Sequence, residues 1–260
     1  MKKNHPFHLV TNSPWPLLLS FSIMNMLMAT IILFNKKILW FMLFSSLTIF
    51  MNLYQWWRDV KRESSFKGDH TSMVKKMIKM GMMLFILSEI MFFISFFWAF
   101  FHSSLSPSTE MGLKWPPKGI YPFNPMEIPL LNTIILVSSG ASITWAHQSL
   151  LSNKLKQTIT SMVITVFLSI YFTSLQWIEY KNSSFTIADS VFGSSFFMTT
   201  GFHGIHVLMG TVFILTALES ILTMKSTKLN HLSMELSTWY WHFVDVVWLF
   251  LYLIMYWWNK

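Results

Sequence analysis

The sequence predicts an all-α integral membrane protein of seven spans, and three observations carry that expectation. Hydrophobic residues make up 53% of the chain and charged residues only 12%, with a mean hydropathy of +0.47. Apolar runs of about 20 residues, long enough to cross the hydrocarbon core as a helix, recur seven times between charged or proline-rich breaks. The 19 Lys and Arg sit in short segments between those runs, so the net charge of +8 reads as membrane topology and not as a nucleic-acid surface. A soluble chain of 260 residues would need a far more polar exterior than this one can supply.

The expected spans are residues 15–34, 38–57, 74–105, 128–151, 156–180, 190–223 and 233–257. The first follows SPWP, and the second ends in the aromatic cluster around Trp56 and Trp57. The third and sixth would each be about 50 Å long at 1.5 Å per residue, beyond the ~30 Å core, so they must tilt or project. The fourth carries Ser138, Ser139, Gly140, Ala141 and Ser142, small residues that suit a packed interior helix in lipid. The fifth lies between Lys156 and Lys181, and the seventh ends in Trp257 and Trp258, an ordinary interfacial belt. The longest connection, Ser106 to Glu127, holds five of the nine prolines and reads as an ordered external loop. No internal repeat and no second domain are visible, so residues 1–260 read as a single transmembrane domain.

Assigning the basic residues to alternate sides sets the orientation. The N-terminal side collects Lys2, Lys3, Arg58, Lys61, Arg62, Lys67, Lys75, Lys76, Lys79, Lys154, Lys156, Lys225 and Lys228; the other side has Lys36, Lys37, Lys114, Lys118, Lys181 and Lys260. Positive charge stays inside, which places the N-terminus on the cytoplasmic or matrix face. The opening MKKNHPFHLVTNSPWP has no apolar core before Pro14 and no Arg-rich amphipathic pattern, so no cleavable address is expected. Heavy use of Met, Phe, Ile, Ser and Lys beside nine Gly points to an A/T-rich, organelle-type coding origin. Cysteine is absent, which excludes disulfides, thiolate metal sites and cysteine nucleophiles.

Few residues remain that could carry chemistry. Glu89 falls near the middle of the third span, where an ionised acid costs at least ~2.5 kcal/mol, so it should be protonated, paired or facing a wet cavity. His203 and His206 lie at similar depth in the sixth span, on neighbouring positions of one helix face. They could suit a metal or a hydrogen-bonded chain, but two ligands do not make a site; one of them is expected to bond Glu89 while Gly201, Gly204 and Gly210 admit a neighbouring helix. Asp245 lies near the centre of the last span with His242 one turn earlier. It reads either as an intersubunit or proton-path contact or as a local partner of His242 or a hydroxyl. His102 and His147 read as interfacial or structural.

The segment YQWWRDVKRESSFKGDH joins aromatics to a basic cluster, as a phospholipid headgroup site would. Arg58, Lys61 and Arg62 can meet phosphate while Trp56 and Trp57 pack along acyl chains, with Glu63 and His70 in the same stretch. A basic loop that only fixes topology is the plainer reading.

YQWWRDVKRE, FILSEIMFF, FFWAFFHSSLSP, KWPPKGI, PLLNT with SITWAH, GFHGIH and WYWHFVDVVWLFLY together resemble the subunit III family of cytochrome c oxidase, in order and over nearly the whole chain. The resemblance implies a two-helix and a five-helix bundle separated by a lipid-filled V-shaped cleft. It implies a partner of subunits I and II and of accessory subunits; the residue bias and missing presequence point to a mitochondrial inner membrane, and the basic-residue count then puts the C-terminus on the intermembrane-space side. The subunit would carry no cofactor itself: haem a, haem a3 and the copper centres would sit on partner subunits, and this chain would bind phospholipid and support proton-coupled oxygen reduction. It also implies that Glu89 is the family's carbodiimide-reactive acid, that Glu89 and His206 form the buried polar pair, and that YQWWRDVKRE borders cleft lipid. Two other readings compete. A stand-alone transporter or proton channel would use Glu89, His203, His206 and Asp245 as a relay, but the paired halves typical of transporters are missing. A membrane enzyme with its own metal would need more convergent ligands.

Overall fold

A computed structural model describes residues 7–109, 112–228 and 230–259. Lys2, Lys3 and Lys260, counted above for orientation, lie outside the described residues, as does the opening of the N-terminal segment. Seven helices follow the expected spans: α1 (Trp15–Lys36), α2 (Trp40–Arg62), α3 (Ser72–Leu105), α4 (Ile128–Leu151), α5 (Leu155–Lys181), α6 (Ser190–Leu222) and α7 (Leu232–Leu251). A π-helical turn, Glu63–Lys67, extends α2, and another, Tyr252–Trp257, extends α7. Among the described residues, six helices are long and apolar enough to cross a membrane, and α2 is the exception. Its second half carries Asn52, Tyr54, Gln55, Trp56 and Trp57, which lower hydropathy although Trp and Tyr favour the membrane interface. The chain divides into two compact units, residues 1–78 and 79–260.

In the first unit α1 and α2 form an antiparallel hairpin. Pro16 in the first turn of α1 costs no hydrogen bond, because that turn's amide has no helical partner. The helix ends where Lys37 adopts a left-handed conformation and donates its amide to Leu33 O at 2.8 Å. Ser22 and Ala29 on α1 and Ser45 on α2 are buried, small residues that let two backbones approach without a hydrophobic driving force. Trp15 Nε1 donates to Asp59 Oδ2 at 2.8 Å and pins the start of α1 to the end of α2. The helical path runs further than the expected limit of residue 57. Asp59 to Lys67 contains neither Gly nor Pro and is rich in good helix formers, so it ends only at Gly68, whose φ of 68° suits glycine.

In the second unit the burial pattern is inverted relative to a soluble domain. Met83, Leu84, Phe167, Ile170 and Leu208 are exposed, while Asn132, Ser139, Thr158, Ser161, Thr165 and Ser169 are buried, as expected where lipid is the solvent. The small-residue stretch of α4 packs on α5 through hydroxyl pairs, Ser142 to Thr165 at 2.8 Å and Ser149 to Thr158 at 2.7 Å. These hydroxyls also bond carbonyls of their own helices, as Ser142 does to Ser139 O at 2.9 Å. The turn between α4 and α5 reverses at Asn153, φ 58°, a residue type that tolerates the left-handed region. On α7, Trp241 donates to Ser139 Oγ at 2.9 Å, and its ring lies against Gly210 of α6, where an added Cβ would stand 2.8 Å from it.

Candidate functional site

The polar pair in the second unit is assembled by α3 and α6. Glu89 and His206 face each other with Oε2 and Nε2 2.8 Å apart. The other ring nitrogen, Nδ1, donates to Phe202 O at 2.7 Å, a contact to the preceding turn of its own helix. That second bond fixes which nitrogen meets the acid. With Nδ1 committed as donor, one proton must lie between Nε2 and Oε2: either the acid is protonated beside a neutral ring, or the carboxylate meets an imidazolium. Both arrangements are net neutral, which is what the lipid interior demands. Phe93, Phe243 and Tyr240 surround the imidazole, with ring centroids 5.1, 6.2 and 6.4 Å away.

His203, one turn earlier, is directed elsewhere. It is fully buried against Phe172 and Trp248 and meets Val244 O at 3.3 Å. Of the two histidines in GFHGIH, only His206 therefore bonds Glu89, while His203 ties α6 to the backbone of α7.

Asp245 keeps His242 within ion-pair range and also packs against α4. His242 Nδ1 stands 3.9 Å from Asp245 Oδ2, too long for a hydrogen bond. The carboxyl instead turns toward α4, where its Oδ2 occupies the space a Cβ on Gly140 would need. Its other oxygen is buried with no partner among the described residues. An i, i+3 spacing permitted the His242 pairing, but the gap left by Gly140 draws the side chain inward.

Two ionic or acidic groups were not singled out from sequence. Lys79 at the base of α3 and Glu235 in the first turn of α7 form an ion pair at 2.6 Å. Glu179, near the end of α5, is 1% exposed and accepts a hydrogen bond from Tyr256 at 2.6 Å. Among the described residues, no three His, Asp or Glu side chains are arranged to hold a metal ion.

In the first unit the basic segment forms one wall of a pocket of about 520 Å³ between the segment preceding α1 and the end of α2. Trp56, Arg62 and Glu63 line it, together with Trp15, Asp59 and Lys67. Asp59 gathers Arg58 at 3.2 Å and Arg62 at 3.8 Å. Glu63 meets His8 at 3.5 Å and Thr11 at 3.4 Å. The His8 and His70 rings meet edge to face at 5.5 Å. Burial, followed by the neighbouring His8, holds the His70 imidazole below its ordinary value. Trp57, Arg58, Lys61 and His70 do not line this pocket. The contribution of the N-terminal segment was not legible in the basic motif, because residues 8–15 reach it only through the fold.

A family profile described as "Cytochrome c oxidase subunit III" matches residues 5–260. Proteins named "Cytochrome c oxidase subunit 3" are similar along their whole length. The one from Drosophila melanogaster is 53% identical over 256 residues, covering 98% of both chains. That from Rhipicephalus sanguineus is 52% identical over 254 residues, 98% of this chain and 99% of the relative. That from Myxine glutinosa is 50% identical over 259 residues, 100% of this chain and 99% of the relative. With a profile spanning all but the first four residues and relatives at half identity end to end, the chain belongs to the cytochrome c oxidase subunit III family.

Proposed function

We propose that this chain is a non-catalytic core subunit of cytochrome c oxidase in the mitochondrial inner membrane, supporting electron transfer from cytochrome c to oxygen and the accompanying proton translocation. Haem a, haem a3 and the copper centres are assigned to subunits I and II. This chain stabilises the catalytic subunit, contacts accessory subunits and seats phospholipid. The match over residues 5–260 carries this reading. All seven helices cross the bilayer, with the N-terminus on the matrix side and the C-terminus on the intermembrane-space side, by the excess of Lys and Arg on the N-terminal side.

Within that role, Glu89 and His206 act as a proton-holding pair inside the membrane: one shared proton moves between two atoms 2.8 Å apart without changing net charge. The pocket of the first unit offers cations, Arg62 and Lys67, beside carboxylates, Asp59 and Glu63, with Trp15 and Trp56 adjacent. That set suits a phospholipid headgroup whose acyl chains lie along the aromatic rings. A stand-alone relay of Glu89, His203, His206 and Asp245 is disfavoured, because His203 is committed to Val244 O and Asp245 to the surface of Gly140.

Native purification tests the reading. The chain is expected to copurify with haem a and copper in a larger complex that oxidises cytochrome c. A chain that runs alone and moves a solute across vesicles would refute it. A tag at the N-terminus should be protected from protease added on the outer aqueous side, and cleavage there would overturn the orientation.

A further inference from the structure

A groove on the second unit is used neither by the Glu89 pair nor by any contact described above. Met83, Ile86, Leu87 and Ile90 of α3 and Trp239 of α7 line it, and its volume is about 330 Å³. Their spacing puts the four α3 side chains in one row along the helix, on a different face from Glu89, which turns to His206 on α6. Met83 and Leu87 are 56 and 50% exposed, so the groove opens outward.

Lys79 stands one turn before Met83 on α3, and Glu235 stands one turn before Trp239 on α7. Their ion pair, at 2.6 Å, therefore joins the two helices at one end of the groove. The Lys79 and Glu235 side chains are 37 and 19% exposed, so each stays reachable from outside. The ammonium has three donors and the carboxylate several lone pairs, and their mutual bond uses one of each.

The depth of the groove suits a lipid. From Lys79 to Ile90 the helix rises about 16 Å at 1.5 Å per residue, roughly half of the ~30 Å hydrocarbon core. An acyl chain of one leaflet covers that length with its headgroup beside the ion pair. General contact with the bilayer asks only for a smooth apolar face, whereas this concavity ends on fixed charges. Those charges also select. A headgroup carrying phosphate alone would meet Lys79 and be repelled by Glu235, while one carrying phosphate and ammonium matches both through charge-assisted hydrogen bonds. A protein helix laid over the pair would strip water from two charges, a cost that a wet headgroup avoids.

We propose that the groove between α3 and α7 binds one amine-bearing zwitterionic phospholipid, with its phosphate on Lys79, its ammonium on Glu235 and an acyl chain along Met83 to Ile90 against Trp239. The site ties the lipid to both helices, so its occupant belongs to the folded bundle and not to the fluid around it.

The intact oxidase complex, placed in bilayer discs of equal phosphatidylethanolamine and phosphatidylglycerol, tests this. A density map is expected to show a continuous acyl chain in the groove and a headgroup at the Lys79–Glu235 pair. A protein helix in the groove, or no headgroup at the pair, would overturn the site. Lipid retained after detergent extraction, counted by native mass spectrometry, should favour phosphatidylethanolamine several-fold. Leu87→Trp, which fills the groove from an exposed position and keeps the ion pair, should remove about one such molecule per copy of this chain. Lys79→Met combined with Glu235→Met should abolish the preference between the two lipids. Equal retention of phosphatidylglycerol by the unaltered complex, or unchanged retention in Leu87→Trp, would also overturn the proposal. If the double variant does not assemble, the map and Leu87→Trp decide. Cytochrome c oxidation by the same particles separates failure of the lipid site from failure of the subunit assignment.

Discussion

Glu89 on α3 and His206 on α6 are separated by 117 positions in the chain and by 2.8 Å in space, carboxylate oxygen to imidazole nitrogen. The pair makes each helix dependent on the other, since either side chain alone would leave a polar or charged group facing hydrocarbon.

Removing one partner should therefore hurt more than removing both. His206→Leu is expected to cost about 1–3 kcal/mol of subunit stability, the penalty for an unpartnered buried group, while Glu89→Leu combined with His206→Leu costs less. Glu89→Gln, which keeps a hydrogen-bonding amide at the same place, should leave assembly and oxygen reduction largely intact. Thermal retention of the subunit in the complex and oxygen consumption by the same preparations are the measurements. Loss of electron transfer in an assembled Glu89→Gln oxidase would contradict the division of labour proposed above.

Gly140 has no room for a side chain, because the Asp245 carboxyl fills the space. Gly140→Ala should push that carboxyl out or separate α4 from α7, at about 1–3 kcal/mol. Gly201→Ala, where nothing lies within 4 Å of the new methyl, is the internal control and should be tolerated. Equal losses in both variants would show that close approach at Gly140 is not the cause.

Acid should loosen the N-terminal segment. The His70 imidazole is held below its ordinary value of 6.5 by burial first and His8 second, opposed by Glu63 and Asp69 and reinforced by Lys75. A base depressed on folding is more readily protonated when unfolded. Its contribution is present above the ordinary value and is lost as pH falls through the lower folded one. Proteolysis of residues 8–14 in the purified complex should accelerate as pH falls below the ordinary value of 6.5, and His70→Gln should flatten that dependence. A profile unchanged by His70→Gln would refute the assignment.

The pocket proposed to seat phospholipid predicts a charge-dependent loss. Arg62→Ala should lower retained phospholipid by about 1 kcal/mol in affinity, roughly fivefold, and added salt should shrink the difference. Arg58→Ala, which removes a guanidinium that does not line the pocket, should change retention less. Phosphorus content after detergent washing reads both.

The helices were legible because hydropathy and length act on whole segments, and lipid imposes both. What hydropathy could not see was the polar continuation of α2 through Asp59 to Lys67, helical but too charged to resemble a span. The positions of Glu89, His203 and His206 at matching depth suggested a contact with one of the two histidines, since an acid in hydrocarbon needs a partner, and the family resemblance singled out His206. Glu179 escaped notice for the opposite reason. It lies two residues from Lys181 at the end of its span, and its partner Tyr256 is 77 positions away with no local pattern to connect them. The His242 neighbour of Asp245 was legible by spacing, whereas the gap at Gly140 that takes the carboxyl belongs to α4 and was not.

The serines and threonines lining α4 and α5 have a consequence for biogenesis. Because Ser139, Ser142, Ser149, Ser161 and Thr165 each bond a carbonyl within their own helix, each segment can leave the translocation machinery already satisfied and wait in the bilayer for its neighbour. Glu89, Glu179 and Asp245 also engage another helix or the chain's last turn, through His206, Tyr256 and the surface of Gly140. Insertion of this chain is thus separable from its folding for most of its length, and those three acids mark the helices whose late meeting sets when the bundle closes.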